Sequence, residues 1–393
     1  MEKKIPYSRQ NIDNSDIASV NKVLKSDYLT TGPQIKKFEN LLSKYCKSKY
    51  SVVVNSATSA LHIACMALNL KKNDILWTSP ISFVASANCG LYCGAKIDFV
   101  DIDIKTFNIS TSKLKQKLIT AKKNKKLPKV LVVVHLGGLS CEMQEIRKLS
   151  KMFNFKIIED ASHALGASYK NSRVGSCKFS EITVFSFHPV KIITSGEGGV
   201  ATTNNKRLAE KMSTFRAHGI IREKSKFIGK SHGPWFYQQQ YLGFNYRLSD
   251  IHASLGISQL KKTSLFVKRR NEISKIYKKE LKNYPIEFQK IDKNTLSSYH
   301  LFIILVPEQV HLKLFTFLIK NNINVNLHYI PIFLHPYFQK IKKINTSDFK
   351  SSINYYSRAI SIPVYFGLSN SQLLKIIKKI KDFFKKRLNE KLL

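Results

Sequence analysis

Along the first two-thirds of the chain, short apolar runs alternate with segments whose apolar residues return every three or four positions. The runs Ser51–Val54, Asp74–Trp77, Lys96–Val100, Val130–His135, Lys156–Glu159 and Ile182–Phe185 predict strands, and the intervening Ser59–Asn69, Ser82–Tyr92, Cys141–Phe153 and Lys206–Arg216 predict amphipathic helices. This alternation is the pattern of a largely parallel sheet with helices on both faces, a fold in which ligands bind beyond the carboxyl ends of the strands. Ser249–Arg270, rich in Leu, Ile and Lys, predicts one long helix leaving that unit. After it the pattern changes, with strands near Ser298–Val306 and Val325–Tyr329 and a terminal helix that lines up Leu373, Ile376, Ile377, Ile380, Phe383 and Phe384 on one face. The expected organisation is an α/β domain over residues 1–255 and a smaller α+β domain over 256–393, which suits a length of 393 residues.

Composition narrows the class. Hydrophobic residues make up 43% of the chain, enough for two cores, but no run reaches the roughly 18 to 20 apolar residues of a bilayer span. The start, Met1 to Pro6, carries no signal-like apolar segment, so a cytoplasmic protein without membrane contact is expected. Cys46, Cys65, Cys89, Cys93, Cys141 and Cys177 form no C-x-x-C pair and have no histidine at finger spacing. Neither a zinc site nor a disulfide framework follows. The formal charge of +39 invites a nucleic-acid reading. Its lysines are scattered instead of gathered in one module, so the expected partners are small molecules and not nucleic acid.

Three local signals carry chemistry. Lys191 lies in Phe185-Ser186-Phe187-His188-Pro189-Val190-Lys191, on an irregular loop after a strand, among the apolar Val190, Ile192 and Ile193. Such neighbours desolvate an amine and lower its pKa, as a carbonyl-trapping lysine requires. Asn55-Ser56-Ala57-Thr58-Ser59-Ala60-Leu61 follows a strand and opens a helix, so its N–H groups and the Thr58 and Ser59 hydroxyls suit a phosphate. Asp160 ends an apolar strand, where a carboxylate needs a cation. Each has an ordinary reading: a solvated lysine, a Ser/Thr helix cap, an aspartate capping the next helix. Together they suggest pyridoxal 5′-phosphate, whose protonated ring nitrogen supplies the missing cation.

In these segments and in Leu29-Thr30-Thr31-Gly32, Pro80-Ile81-Ser82-Phe83-Val84-Ala85, Glu159 to Gly166, Ser186 to Gly199, Arg216-Ala217-His218-Gly219, Asn245-Tyr246-Arg247 and His328-Tyr329-Ile330-Pro331, the chain resembles the DegT/DnrJ/EryC1/StrS sugar aminotransferases. The resemblance covers nearly all of it. It implies fold type I of the pyridoxal-phosphate transferases, with a mostly parallel seven-stranded sheet in the large domain. It implies that Lys191 holds the cofactor aldehyde and then shuttles the proton, that Asp160 holds the ring-nitrogen proton, that Phe83 stacks on the ring and that His163 faces the phenolic oxygen. The phosphate falls to Ala57, Thr58, Ser59 and Ser186, with Asn245 reaching from a second subunit, which implies a homodimer with shared sites. A nucleotide-sugar acceptor is expected near Tyr7, Asp27, Tyr28, Leu29 and Thr30 and near His328, Tyr329, Ile330 and Pro331, with Arg247 meeting its diphosphate.

Within the family, the variants at residues 55–60, 80–85 and 162–166 are most similar to transaminases of pseudaminic acid biosynthesis, which pass the amino group of L-glutamate to a UDP-linked 4-keto-6-deoxy sugar. Another UDP- or dTDP-4-amino-sugar transaminase is the near alternative. Sugar dehydratases on this scaffold carry histidine in place of the Schiff-base lysine, and Lys191 argues against them. A nucleic-acid-binding regulator lacks any DNA-reading module here. Residues 221–237 receive no role.

Overall fold

The computed structural model describes residues 4–389. The first and last few residues of the two expected domains, 1–3 and 390–393, lie outside the described residues. Seven strands form the central sheet: β1 (Tyr50–Val54), β2 (Ile75–Thr78), β3 (Lys96–Phe99), β4 (Val130–Val134), β5 (Lys156–Asp160), β6 (Ile182–Ser186) and β7 (Gly199–Thr203), in the spatial order β1-β7-β6-β5-β4-β2-β3. All neighbours pair in parallel except β7, which runs against both β1 and β6. The apolar pattern predicts six of these strands. The seventh, Gly-Val-Ala-Thr-Thr, is fully buried yet polar in composition, because its threonines find internal acceptors: Thr202 Oγ1 donates to the Gly175 carbonyl at 2.9 Å and Thr203 Oγ1 to that of Glu181 at 2.8 Å.

Two departures from expectation have local causes. The helix expected over Ser249–Arg270 is two helices, Asp250–Leu260 and Thr263–Leu281. At the junction Lys262 N–H donates to the Gln259 carbonyl in a tight turn and the Thr263 hydroxyl donates to the Leu260 carbonyl at 2.8 Å, while the Lys262 ammonium meets Asp13 and Asp16 at 2.6 and 2.8 Å. The strand expected over Val325–Tyr329 is a single bridge, Asn326 with Ser361. The Asn326 side chain accepts from the Leu327 N–H at 2.8 Å and so competes with the ladder. Of the strand expected near Ser298–Val306, only Phe302–Leu305 pairs in a sheet. Ser298 and Leu301 spend their N–H groups on Gly138 and Gly137 of the large unit instead.

The C-terminal unit is a three-stranded antiparallel sheet, Glu287–Phe288, Phe302–Leu305 and Ala359–Ile362, packed against the helices Glu308–Lys320 and Asn370–Asn389. Leu373, Ile376, Ile377, Ile380, Phe383 and Phe384 are all buried in its core, as their helical spacing predicts. The chain's start belongs there too. Ile5 is 2% exposed in the same cluster and bridges Ile323, which delivers Tyr7 to the seam between the two units. Among the described residues no helix is long and apolar enough to cross a membrane, and the six cysteines are unpaired.

Candidate active site

The carboxyl ends of β4, β5 and β6 open into a cavity of about 310 Å³ whose walls include Asp160, Lys191, Ser186, Thr58, Phe83 and Tyr329. Lys191 reaches it from the connection between β6 and β7. That connection closes on itself: Phe187 N–H donates to the Gly198 carbonyl, Ser195 N–H to that of Phe187, and Lys191 N–H to that of His188. Gly196, at φ +82°, provides the left-handed residue the return requires. Ile192 and Ile193 are buried behind the lysine. Burial pushes the Lys191 ammonium down to about 8, against the opposing pull of the Asp160 carboxylate.

Asp160 ends β5, 7% exposed, with both oxygens held. Ser86 Oγ donates to Oδ2 at 2.6 Å, and Ser162 donates to Oδ1 from Oγ at 2.6 Å and from its N–H at 3.2 Å. Because the Ser86 hydrogen is committed to the carboxylate, the Ser82 hydroxyl, 2.7 Å away, donates to Ser86. Among the described residues Asp160 makes no ion pair. Three hydroxyl and amide hydrogens satisfy it, and a buried carboxylate aimed into a cavity calls for a cationic ligand. The sequence pattern assigns no role to Ser86 or Ser162. Both were detectable: Ser162 two residues after an aspartate is an Asx-type contact, and Ser86 stands one helical turn after Ser82.

The helix Ala57–Ala67 points its N-terminus at the same cavity. It starts two residues before the expected Ser59, with Ser56 as its cap accepting from Ser59 N–H at 3.1 Å. The N–H groups of Ala57 and Thr58 therefore belong to the open first turn. Ser59 itself is turned away. Its N–H is capped and its hydroxyl donates to Asn55 Oδ1 at 2.7 Å, and it is Ser56, not Ser59, that lines the cavity. Packing fixes this cradle tightly. A Cβ on Gly199 of β7 would stand 2.5 Å from Ala57 N and from the Ser56 carbonyl carbon.

The remaining expected residues divide. Phe83, 58% exposed, faces the cavity with its ring 6.2 Å from that of Tyr329. His163 lines it too, but both of its ring nitrogens are occupied, Nδ1 by Gly137 N–H at 3.3 Å and Nε2 by Tyr329 Oη at 3.1 Å. His328 is buried behind this layer, its Nδ1 2.9 Å from Ser361 Oγ, and burial with the Lys191 charge pushes it down to about 3. Tyr7 packs on it at 5.4 Å between rings, and Ser8 donates to the Val190 carbonyl at 3.0 Å, tying the N-terminal segment to the lysine loop. Ile330 is exposed and Pro331 buried, and neither lines the cavity.

Asp27, Tyr28, Leu29 and Thr30 are exposed and do not line the cavity; the Leu29 carbonyl accepts from Asp250 N–H, and Thr30 bridges Ser249. Asn245 and Arg247 are also exposed and outside this chain's cavity, flanking Tyr246, whose carbonyl accepts from Asn55 N–H at 2.9 Å. Residue types alone did not reveal a second buried pair: His135 Nε2 lies 2.7 Å from Glu159 Oε2, on the far side of β5 from Asp160. Its ion pairing leaves Asp160 as the strand's one uncompensated carboxylate among the described residues.

A lone buried carboxylate, a desolvated lysine and an open helix N-terminus around one cavity fit the ring nitrogen, the aldehyde and the phosphate of pyridoxal 5′-phosphate. Comparisons with known proteins agree. The family model of the DegT/DnrJ/EryC1/StrS aminotransferases matches residues 10–381. The chain is 41% identical over 382 residues, 96% of each protein, to the UDP-4-amino-4,6-dideoxy-N-acetyl-beta-L-altrosamine transaminase of Campylobacter jejuni subsp. jejuni serotype O:23/36 (strain 81-176). It superposes on Helicobacter pylori PseC, an aminotransferase involved in the biosynthesis of pseudoaminic acid, with a TM-score of 0.88 and 32% identity over 98% of this chain and 100% of that one. Spr1654 from Streptococcus pneumoniae, solved in its PLP-form, gives a TM-score of 0.87 at 27% identity, covering 98% and 99%. The chain belongs to the DegT/DnrJ/EryC1/StrS aminotransferase family, as a sugar-nucleotide aminotransferase that uses pyridoxal 5′-phosphate.

Proposed function

We propose that this enzyme moves the amino group of L-glutamate to C4 of UDP-2-acetamido-2,6-dideoxy-β-L-arabino-hexos-4-ulose, yielding UDP-4-amino-4,6-dideoxy-N-acetyl-β-L-altrosamine and 2-oxoglutarate. The observation that carries this substrate is the 41% identity, over 96% of both chains, to a transaminase named for that product. When bound, pyridoxal 5′-phosphate supplies an electron sink for the carbon that loses its proton. The Lys191 amine holds the aldehyde and, once displaced, takes the proton from Cα of glutamate; in the second half it gives a proton to C4 of the sugar. Its depressed pKa suits both directions near neutrality. Asp160, gripped by Ser86 and Ser162, keeps the ring-nitrogen proton. The N–H groups of Ala57 and Thr58 and the Ser186 hydroxyl hold the phosphate, and Phe83 covers the ring.

In this reading a homodimer completes the site, with Asn245 of a second copy at the phosphate and Arg247 at the diphosphate. What supports it is that both are exposed and turned out of their own chain's cavity. Tyr7, Tyr329 and the segment 27–30 border the acceptor. The test is product analysis by mass spectrometry and NMR with UDP- and dTDP-linked 4-keto sugars in competition and glutamate as donor. The UDP-4-amino sugar of altro configuration is the expected product; exclusive turnover of a dTDP-linked sugar would overturn the substrate.

A further inference from the structure

The hydrogen bonds around His163 fix its tautomer. Gly137 N–H donates to Nδ1, and a ring nitrogen that accepts carries no hydrogen, so the imidazole hydrogen sits on Nε2. Burial holds His163 well below its ordinary value, which keeps the ring neutral. Nε2–H therefore donates to Tyr329 Oη, 3.1 Å away, and the phenol oxygen is the acceptor. The hydrogen of Tyr329 itself is left over. It has no acceptor among the described residues, and Tyr329 lines the cavity together with Asp160 and Lys191.

Pyridoxal 5′-phosphate has four polar points: ring nitrogen, aldehyde, phosphate and phenolic oxygen. Asp160, Lys191 and the Ala57–Ala67 helix match the first three. We propose that the Tyr329 hydroxyl donates to the phenolic oxygen and that His163 is the positioning residue that aims it. This rests on the cofactor site described above and departs from the sequence expectation, in which His163 itself faces that oxygen. The groups around the pair are Asp160 and Lys191 in the cavity, Tyr7 and His328 on the C-terminal side, and His300, whose ring is 4.4 Å from that of His163.

A donor at the phenolic oxygen stabilises its ionised form, so removing the donor makes the bound chromophore hold its proton to higher pH. Hydrogen bonds to charged groups are strong enough that the midpoint of the visible-band pH titration of Tyr329→Phe holoenzyme should rise by about one to two units. His163→Leu should shift it the same way by less, and His163→Gln, whose amide N–H still donates to Oη, should return it to the wild-type value. An unmoved midpoint in Tyr329→Phe, or a His163→Leu shift larger than that of Tyr329→Phe, overturns the assignment. Should Tyr329→Phe not fold, 3-fluorotyrosine at position 329, a better donor, should lower the midpoint, and no movement overturns the proposal. A wild-type holoenzyme without any titrating visible band would instead bring down the cofactor site itself, which separates the two failures.

Discussion

On the large-unit side of the cavity, Asp160 has each oxygen bonded at 2.6 Å and Lys191 rides a loop closed by its own backbone, whereas residues 27–30 and Arg247 stand exposed with no contact to the cavity of their own chain. The difference follows the two ligands. A permanent cofactor is best held by groups fixed before it arrives, at strand ends whose hydrogen bonds cannot drift. Under the proposed function, an acceptor that must enter and leave would meet these exposed side chains and loops, and Tyr329, anchored through His163 yet facing the cavity, would stand at the border between the two regimes.

The comparison breaks most visibly at the lysine. Lys191→Ala should lower turnover by about a thousandfold or more, since it removes both covalent capture and the proton carrier. Borohydride treatment of the wild type should add the cofactor's mass permanently, and the variant should retain none. Asp160→Asn comes next. It keeps the shape but loses the charge opposite the ring nitrogen, and because an amide accepts on one side only, either Ser86 or Ser162 must give up its donation; kcat should fall about 10- to 100-fold with the fold intact by circular dichroism. Unchanged kcat would mean that the carboxylate serves only to tie Ser86 to Ser162.

Gly199→Ala tests the cradle without touching a ligand. The new methyl meets backbone 2.5 Å away at the start of the Ala57–Ala67 helix, so the helix must shift or β7 must. Overpacking of this kind costs about 1 to 3 kcal/mol. Cofactor affinity should drop about tenfold by equilibrium dialysis, and thermal unfolding should show the same loss in apoenzyme. pH gives a gentler probe. Capture of the aldehyde needs the neutral amine, and burial lowers Lys191 to about 8. Reattachment of the cofactor to apoenzyme should therefore quicken about tenfold per unit as pH rises toward 8 and level off above it. A rate still climbing at pH 10 would mean that burial does not lower this lysine.

How far the sequence could be read follows the same division. Lys191, Asp160 and the Asn55–Leu61 turn were legible because strand ends, apolar flanks and helix starts constrain residue types locally. The seventh strand was not, because its burial depends on Thr202 and Thr203 meeting carbonyls from residues 175 and 181. The orientation of Ser59 was not legible, because a hydroxyl in the first turn of a helix looks like one at its mouth; only Ser56 as the cap reveals which way it turns. The split at Lys261 and Lys262 rests on one tight turn, Lys262 N–H to the Gln259 carbonyl with the Thr263 hydroxyl on the Leu260 carbonyl, which leaves the apolar periodicity on either side unbroken.

The smallest expected effect is the one that most sharpens the contrast. Arg247→Ala removes an exposed guanidinium that makes no ion pair among the described residues and lines no part of its own chain's cavity. If it meets the acceptor's diphosphate across a dimer, the half-reaction with glutamate, followed by loss of the visible band under single-turnover conditions, should proceed at the wild-type rate. The half-reaction with the keto sugar should show an apparent dissociation constant raised about fivefold, the scale of one solvent-exposed charge pair, and less at high salt. Equal slowing of both halves would place Arg247 with the cofactor machinery and erase the distinction between a prebuilt wall and an open one.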